Sequence, residues 1–304
     1  MGKIAFVFSG QGAQYPGMGK DLYDSYASVK KLYHMADESI RRVCFYGPEE
    51  KLNITLYTQP ALYLTDLALA IALQEEGIEA SGLAGFSIGE TAGVAFSGLM
   101  SYEDTLAFVL KRAEFMQAES EKYKGIMYAL LGIEEKEARE ISALISDVYP
   151  VNFNCPGQVV FSLLQEKEED FKRLLEERKI KSIKLKVSGA FHSPFMKEAE
   201  RKLELYMEDK NFQKPSLPLY SNLTGDLYIK DTSLLTKQVS NPVLWQKTIE
   251  NMIDQDFTTF IECGCKNVLS GMIKRTDTKN KTRVLNAYDL VSLKDLVEEI
   301  NVKG

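Results

Sequence analysis

Histidine is scarce in this chain: only His34 and His192 occur among 304 residues. The four cysteines stand at positions 44, 155, 263 and 265. The Cys-x-Cys pair among them does not have the usual zinc-ligand spacing, and two histidines offer little to complete a site. We therefore expect reduced thiols, with no metal site and no disulfide, as is typical of a cytoplasmic protein.

Long apolar runs and an excess of positive charge are also missing. No uninterrupted apolar stretch approaches the roughly 20 residues that cross a bilayer, so we expect no membrane association. The apolar segment at 3–8 is interrupted by glycine too early for a signal peptide. The formal net charge is -6, which disfavours a nucleic-acid-binding protein because phosphate contacts require a basic face.

The segments that are present predict an α/β fold. Residues 3–8 form a buried strand pattern, 58–77 an amphipathic helix, and 82–86 a short strand that leads into another helix. Strands that alternate with helices indicate a parallel sheet with helices on both faces.

A second pattern covers residues 126–187. Its order of elements, β-α-β-β-α-β, is that of a ferredoxin-like unit. We therefore expect a small ferredoxin-like domain at 126–187, inserted into a larger catalytic domain made of 1–125 and 188–304.

Ser87 lies between two glycines at the end of the short strand, in "GFSIG". Gly-x-Ser-x-Gly at a strand-to-helix turn is typical of an exposed serine nucleophile, because the glycines relieve crowding at the bend. The same residues also suit a tight turn with a serine N-cap, so the pattern alone leaves both interpretations open.

A serine nucleophile needs a base, and the chain offers two histidines. His34 lies on a predicted surface helix. His192 follows a strand and precedes Ser193, an N-cap candidate, and Pro194, a first-turn residue, so it is the better candidate. A helix N-terminus favours neutral imidazole, the form that accepts a proton.

Arg112 shares the apolar stripe of its helix with residues 106, 109, 110, 113 and 116. A buried guanidinium keeps its charge and must meet an anion. The partner is either a core carboxylate or a carboxylate carried by a substrate.

The turn around Gln11, flanked by Gly10 and Gly12, lacks the third glycine of a dinucleotide-binding fingerprint because Tyr15 occupies that position. It remains suited to close backbone approach to a ligand.

Taken together, these segments resemble the malonyl-CoA:acyl carrier protein transacylases, acyltransferases of fatty-acid and polyketide synthesis. The resemblance spans nearly the whole chain, in family order: "VFSGQGAQYPGMG", "TQPAL", "GFSIGE", "KRAEFMQ", "NFNCPGQVV", "VSGAFHSPFM", "SNLTG", "NPVLW" and "FIECGCKNVLSGMIKR". It implies an α/β-hydrolase-like core with a ferredoxin-like small domain, no bound cofactor, and a monomer.

The resemblance also implies residue roles. Ser87 would carry the malonyl group and His192 would act as the base. Arg112 would bind the malonyl carboxylate, the amides of Gln11 and Ile88 would form an oxyanion hole, and the backbone carbonyl of Leu244 would orient the histidine. The substrates would be malonyl-CoA and the phosphopantetheine thiol of an acyl carrier protein, used in ping-pong order for fatty-acid synthesis.

Three alternatives remain open at this point. The chain could supply malonyl groups to a polyketide synthase in trans. It could be a serine acyl hydrolase or thioesterase, which would need an acid behind the histidine; the candidates are Asp104, Asp147 and Asp170. It could also be a non-catalytic relative, because Phe86 stands where the family usually has histidine.

Overall fold

The computed structural model describes residues 2–187, 189–228 and 233–303. Within these residues the chain forms nine β-strands and fourteen α-helices. The strands are β1 Lys3–Phe8, β2 Gly82–Gly85, β3 Gly125–Leu131, β4 Val148–Cys155, β5 Gln158–Leu164, β6 Lys181–Lys184, β7 Leu219–Tyr220, β8 Phe257–Cys263 and β9 Arg283–Ala287. The helices are α1 Lys20–Ser25, α2 Ala27–His34, α3 Glu38–Tyr46, α4 Glu49–Leu52, α5 Thr55–Glu75, α6 Gly89–Phe96, α7 Tyr102–Lys122, α8 Glu135–Leu144, α9 Glu168–Glu177, α10 Lys197–Met207, α11 Ser233–Lys237, α12 Trp245–Asp254, α13 Val268–Thr276 and α14 Leu290–Lys303.

A five-stranded parallel sheet, in the order β7-β2-β1-β8-β9, forms the centre of the larger unit. Successive side chains of β1 point to opposite faces. Phe6 and Phe8 join the large core cluster that contains α5, whereas Ala5 and Val7 pack with α12 and α13 on the other face. The predicted parallel sheet with helices on both faces is confirmed.

Helix α5 revises the expectation about long apolar segments. Its 21 residues are long and apolar enough, by length and composition, to cross a membrane. In this fold, however, 89% of its most apolar window is buried inside the protein. The helix is buried because it lies between the sheet and the surrounding helices, where every side of it contacts apolar groups.

The second unit is a four-stranded antiparallel sheet, in the order β4-β5-β3-β6. Helices α8 and α9 cover it, and Ile141 and Phe171 pack with Phe161 in a separate core cluster. All six elements predicted for this part of the chain are present in the predicted order. The domain limits predicted at residues 1, 188 and 304 lie outside the described residues.

Backbone hydrogen bonds join the antiparallel sheet to the segment before α12, in the larger unit. The Phe153 amide donates to the Val243 carbonyl at 2.9 Å, and the Val243 amide donates to the Val151 carbonyl at 2.9 Å. These bonds tie β4 to the segment that enters α12. Residues of both units line the same cavity.

The carboxyl ends of β1 and β2 lie side by side, so the chain that follows each strand meets at one edge of the sheet. Helix α6 approaches both strand ends closely. A Cβ on Gly85 would lie 2.1 Å from the Gly89 carbonyl carbon, and one on Gly89 would lie 2.4 Å from the Phe8 carbonyl oxygen. Glycine is required at both positions because the obstructing atoms are backbone.

We expect Gly85→Ala to lower the free energy of unfolding by about 1–3 kcal/mol, because the added methyl group forces α6 away from β2. Gly271→Ala is a matched control: Gly271 lies in α13, and a Cβ there meets nothing within 4 Å. That variant should gain up to about 0.5–1 kcal/mol, since alanine is the better helix former. Denaturant unfolding of both variants measures the difference, and equal stabilities would contradict the close approach.

Candidate active site

Ser87 lies in the bend between β2 and α6, with a left-handed φ of 54°. A non-glycine residue in this region carries roughly 1–3 kcal/mol of strain, which surrounding contacts must offset. The Ser87 amide donates to Asn222 Oδ1 at 2.7 Å, and the Ser87 carbonyl accepts from Gln238 Nε2 at 2.9 Å. These bonds fix the bend, and the hydroxyl projects into a cavity.

His192 contacts this hydroxyl, with 2.7 Å between Nε2 and Ser87 Oγ. Its Nδ1 lies 2.9 Å from the backbone carbonyl oxygen of Gln238. Because a carbonyl only accepts, Nδ1 carries the proton, and Nε2 is left as the acceptor that faces the hydroxyl. An imidazole in this tautomer can take the serine proton.

Burial first, and the nearby charge of Arg112 second, lower the pKa of His192 to about 4. Hydrogen bonding to backbone carbonyls, that of Gln238 first, opposes the shift. The imidazole is therefore neutral at physiological pH. The two causes that favour the neutral form are desolvation and the charge of Arg112.

The prediction that the Leu244 carbonyl orients the histidine is wrong. That carbonyl accepts from the amide and the hydroxyl of Thr248, both at 3.0 Å, in the first turn of α12. Its hydrogen-bonding capacity is used by the helix, and the bond to His192 comes from Gln238, six residues earlier. Every residue has a carbonyl, so no side-chain pattern marked the one that is used.

The loop after His192 also differs in detail from the prediction. Pro194 begins a short 3₁₀ helix, Pro194–Met196, that runs into α10. Ser193 precedes it but makes no side-chain cap. Its hydroxyl donates back to the Ala190 carbonyl instead, and so stabilises the loop in which His192 has a left-handed φ of 58°.

Arg112 projects from α7 toward the same cavity and is only 1% exposed. Its Nη1 donates to Gln59 Oε1 at 2.6 Å, and its Nη2 donates to Gln238 Oε1 at 2.9 Å. Nη2 also lies 3.3 Å from Ser87 Oγ. The guanidinium is thus held beside the hydroxyl by two amide oxygens.

No carboxylate forms a salt bridge with Arg112 within the described parts of the chain. Burial lowers the pKa of Arg112 to about 10, and the charge of Glu90 partly offsets this. The side chain therefore stays charged at neutral pH, and its Nε has no hydrogen-bond partner among the described residues. The core carboxylate considered from the sequence is absent from its contacts among the described residues, and Glu90 acts on it through charge, without a salt bridge.

Three further residues build the site and were missed from the sequence: Gln238, Glu90 and Asn222. All three are fully buried. Gln238 contacts Arg112, the Ser87 carbonyl and Glu90 through its side chain, and His192 through its backbone. Glu90 is the only charged residue of α6, a helix otherwise made of small and apolar residues with one threonine. That isolated charge was the available signal.

The cavity has a volume of about 260 Å³. The parallel-sheet unit supplies Ser87, His192, Arg112 and the turn at Gln11, and the antiparallel sheet supplies its opposite wall. The amides of Gln11 and Ile88 donate no hydrogen bond to any described residue. They remain available as donors at the serine.

Phe86, the residue that departs from the family pattern, also lines this cavity. Its ring lies 5.6 Å from that of Trp245 in an edge-to-face arrangement and packs over Gly10. An apolar side chain fits here because its surroundings are apolar. The substitution leaves the contact between Ser87 and His192 in place.

None of the acids proposed for a hydrolase contacts His192. Asp104 bonds Ser101 at the start of α7, Asp170 pairs with Arg173, and the Asp147 carboxylate accepts from Tyr149. His34 is exposed and contacts Arg41 and Tyr23, as expected of a surface residue. No cluster of three or more His, Cys, Asp or Glu side chains suited to a metal occurs within 2–187, 189–228 and 233–303.

Comparison with known proteins agrees with this geometry. The family model described as "Acyl transferase domain" matches residues 5–293. A malonyl CoA-acyl carrier protein transacylase of Bacillus subtilis is 34% identical over 305 residues, covering 96% of each chain.

Solved structures give the same result. A malonyl CoA-acyl carrier protein transacylase from Clostridium perfringens superposes with a TM-score of 0.92 at 36% identity, covering 99% of this chain and 98% of the other. A malonyl-transacylase in complex with its type II PKS acyl-carrier protein superposes with a TM-score of 0.90 at 30% identity, covering 98% of this chain and 99% of the other. The arrangement of Ser87, His192 and Arg112 thus occurs in a chain that belongs to the acyl transferase domain family.

Proposed function

We propose that this protein transfers the malonyl group of malonyl-CoA to the phosphopantetheine thiol of an acyl carrier protein. The observation that carries the proposal is a neutral imidazole bonded to the Ser87 hydroxyl, beside a buried guanidinium without a carboxylate partner among the described residues. The first feature suits acyl transfer, and the second suits an acyl group that ends in a carboxylate.

In the first half-reaction, Ser87 Oγ attacks the thioester carbonyl while His192 Nε2 takes the hydroxyl proton. The carbonyl oxygen becomes an oxyanion, for which the amides of Gln11 and Ile88 are the candidate donors. When the carbon–sulfur bond breaks, His192 returns the proton to the departing CoA thiol, and the malonyl ester of Ser87 remains. The Gln238 carbonyl stabilises the imidazolium that forms in between.

In the second half-reaction the carrier-protein thiol attacks this ester. His192 takes the thiol proton, the tetrahedral intermediate collapses, and the proton returns to Ser87 Oγ. The sequence of two transfers through one covalent intermediate gives ping-pong kinetics.

Arg112 supplies selectivity in this scheme. A bidentate bond to the malonyl carboxylate would complete the hydrogen bonding of the guanidinium and neutralise its charge in the core. An acetyl or longer fatty acyl group offers no anion and would leave the cation unpaired. This argues for malonyl transfer over general acyl hydrolysis, as does the use of a backbone carbonyl in place of an acid behind His192.

Several finer features complete the proposal. The larger unit, 1–125 with 188–304, would be an α/β-hydrolase-like catalytic domain, and 126–187 would be a ferredoxin-like domain. The order of the antiparallel strands supports the second assignment: with β3 to β6 renumbered 1 to 4, they lie in the order 4-1-3-2. The protein would act as a cytoplasmic monomer without a bound cofactor. Its malonyl groups would supply fatty-acid synthesis, with polyketide synthesis as the alternative.

Incubation with malonyl-CoA should give one malonyl adduct on Ser87 by intact-mass measurement, and Ser87→Ala should give none. Addition of an acyl carrier protein bearing phosphopantetheine should remove the adduct and yield malonylated carrier protein. Release of free malonate in place of transfer would favour the hydrolase, and the absence of an adduct in the unsubstituted protein would favour a non-catalytic relative.

The acid limb of kcat/KM for acylation of Ser87 from acetyl-CoA, whose acyl group carries no carboxylate for Arg112, should lie near pH 4. His192 accepts a proton only when neutral, it is neutral above its pKa, and burial lowers that pKa to about 4. Activity should therefore stay level as the pH falls through 6.5, the ordinary value for histidine. His34→Ala should leave the profile unchanged. A limb near 6.5, with circular dichroism showing an intact fold, would contradict the argument.

Arg112→Ala should lower kcat/KM for malonyl-CoA about 100-fold or more, the equivalent of roughly 3 kcal/mol for a lost buried charge pair. Transfer from acetyl-CoA should fall much less, so the preference for malonyl should collapse. Lys111→Ala, which removes an exposed cation from the neighbouring position of α7, is the matched control. An unchanged ratio of malonyl to acetyl transfer in Arg112→Ala would overturn the role of Arg112.

A further inference from the structure

A buried carboxylate contacts the two residues that hold the serine backbone and takes no part in the steps above. Glu90 is in the first turn of α6, three residues after Ser87, and is fully buried. Burying a charge is costly unless it is well hydrogen-bonded, so the chain must hold Glu90 by specific contacts. Those contacts run to the residues that build the site.

Three donors meet the two oxygens of Glu90. Oε2 accepts from Gln238 Nε2 at 2.5 Å and from the Asn222 amide at 3.1 Å. Oε1 accepts from the hydroxyl of Tyr228. An ionised carboxylate has no hydrogen to give, so it dictates which way each neighbouring group points.

The effect on Gln238 is specific. Its NH₂ group is directed to Glu90 and to the Ser87 carbonyl, and its oxygen therefore faces Arg112 Nη2 at 2.9 Å. If the amide were reversed, its NH₂ would face the guanidinium, and Arg112 would lose one of its two amide acceptors. Glu90 and the Ser87 carbonyl are both acceptors for this NH₂ group, and the charged one, Glu90, strengthens the amide orientation that holds Arg112.

The charge of Glu90 acts in the same direction. Burial raises the pKa of Glu90 to about 7, while its hydrogen bonds and the charge of Arg112 lower it. Reciprocally, Glu90 raises the pKa of Arg112 against the effect of burial. Glu90 forms no salt bridge with Arg112, so it supports the positive charge without occupying the guanidinium donors.

We propose that Glu90 is a positioning residue that acts through the side-chain amide of Gln238 to hold Arg112 in the orientation that receives the carboxylate of the acyl substrate. This inference rests on the proposed function. It assigns the selectivity for a carboxylate-bearing acyl group to three buried residues, Glu90, Gln238 and Arg112, in place of Arg112 alone. Glu90 itself touches no substrate.

The test is Glu90→Gln, which keeps the size of the side chain but removes the negative charge that accepts from Gln238 and favours the charged form of Arg112. A neutral acceptor holds the Gln238 amide less firmly than a carboxylate does, so Arg112 is held less firmly in turn. We expect kcat/KM for malonylation of Ser87 from malonyl-CoA to fall about 10-fold or more, equivalent to roughly 1.4 kcal/mol. Acylation from acetyl-CoA should change less than about 3-fold.

Two controls separate positioning from loss of structure. Glu119→Gln alters another buried glutamate, on α7, and should leave the malonyl-to-acetyl ratio unchanged. In an Arg112→Ala background, Glu90→Gln should have no further effect on that ratio, because the group it positions is absent. An equal loss with both substrates, or a further fall in the ratio without Arg112, would overturn the proposal.

Gln238→Met is the second variant, in case Glu90→Gln does not fold. It keeps the backbone carbonyl that bonds His192 and removes the amide between Glu90 and Arg112. The ratio should fall as in Glu90→Gln, and an unchanged ratio would overturn the proposal. If the unsubstituted protein shows a malonyl preference that Arg112→Ala abolishes, the proposed function stands whichever result these variants give.

Discussion

The site depends on a guanidinium that stays protonated, and therefore charged, when it is buried. Arg112 is enclosed by α7 and its neighbours, receives two amide oxygens, and keeps its positive charge beside the serine. A buried arginine is usually paired directly with an internal carboxylate. Here Glu90 contacts Gln238, and Gln238 in turn contacts Arg112. The fold thus keeps a positive charge without a contacting carboxylate, among the described residues, at the point where an acyl group would sit.

Backbone geometry provides the other half of the arrangement. Two non-glycine residues with left-handed φ, Ser87 and His192, face each other across 2.7 Å. Each is held by bonds to its own backbone: Asn222 and Gln238 fix the serine, and the Val239 carbonyl accepts from the histidine amide. Strain at the two reacting residues is offset by contacts with the loops around them.

Much of this was predictable from the sequence, for identifiable reasons. Short apolar runs located the strands, and the scarcity of histidine reduced the search for a base to His192. Gln238 and Asn222 were not predictable, because their roles come from loops that fold back over 135 residues or more to meet Ser87. The Leu244 prediction failed because any residue of that segment offers a carbonyl, and only the folded path shows that Leu244 begins a helix.

The cavity wall opposite the serine is built by the antiparallel sheet, through residues such as Met127, Ala129 and Val160. The reacting groups all come from the other unit. Changes in side-chain volume on those strands can therefore lengthen or shorten the chamber while the proton-transfer apparatus stays as it is. In evolutionary terms, single substitutions on this wall can change which acyl group fits, while the catalytic residues stay the same.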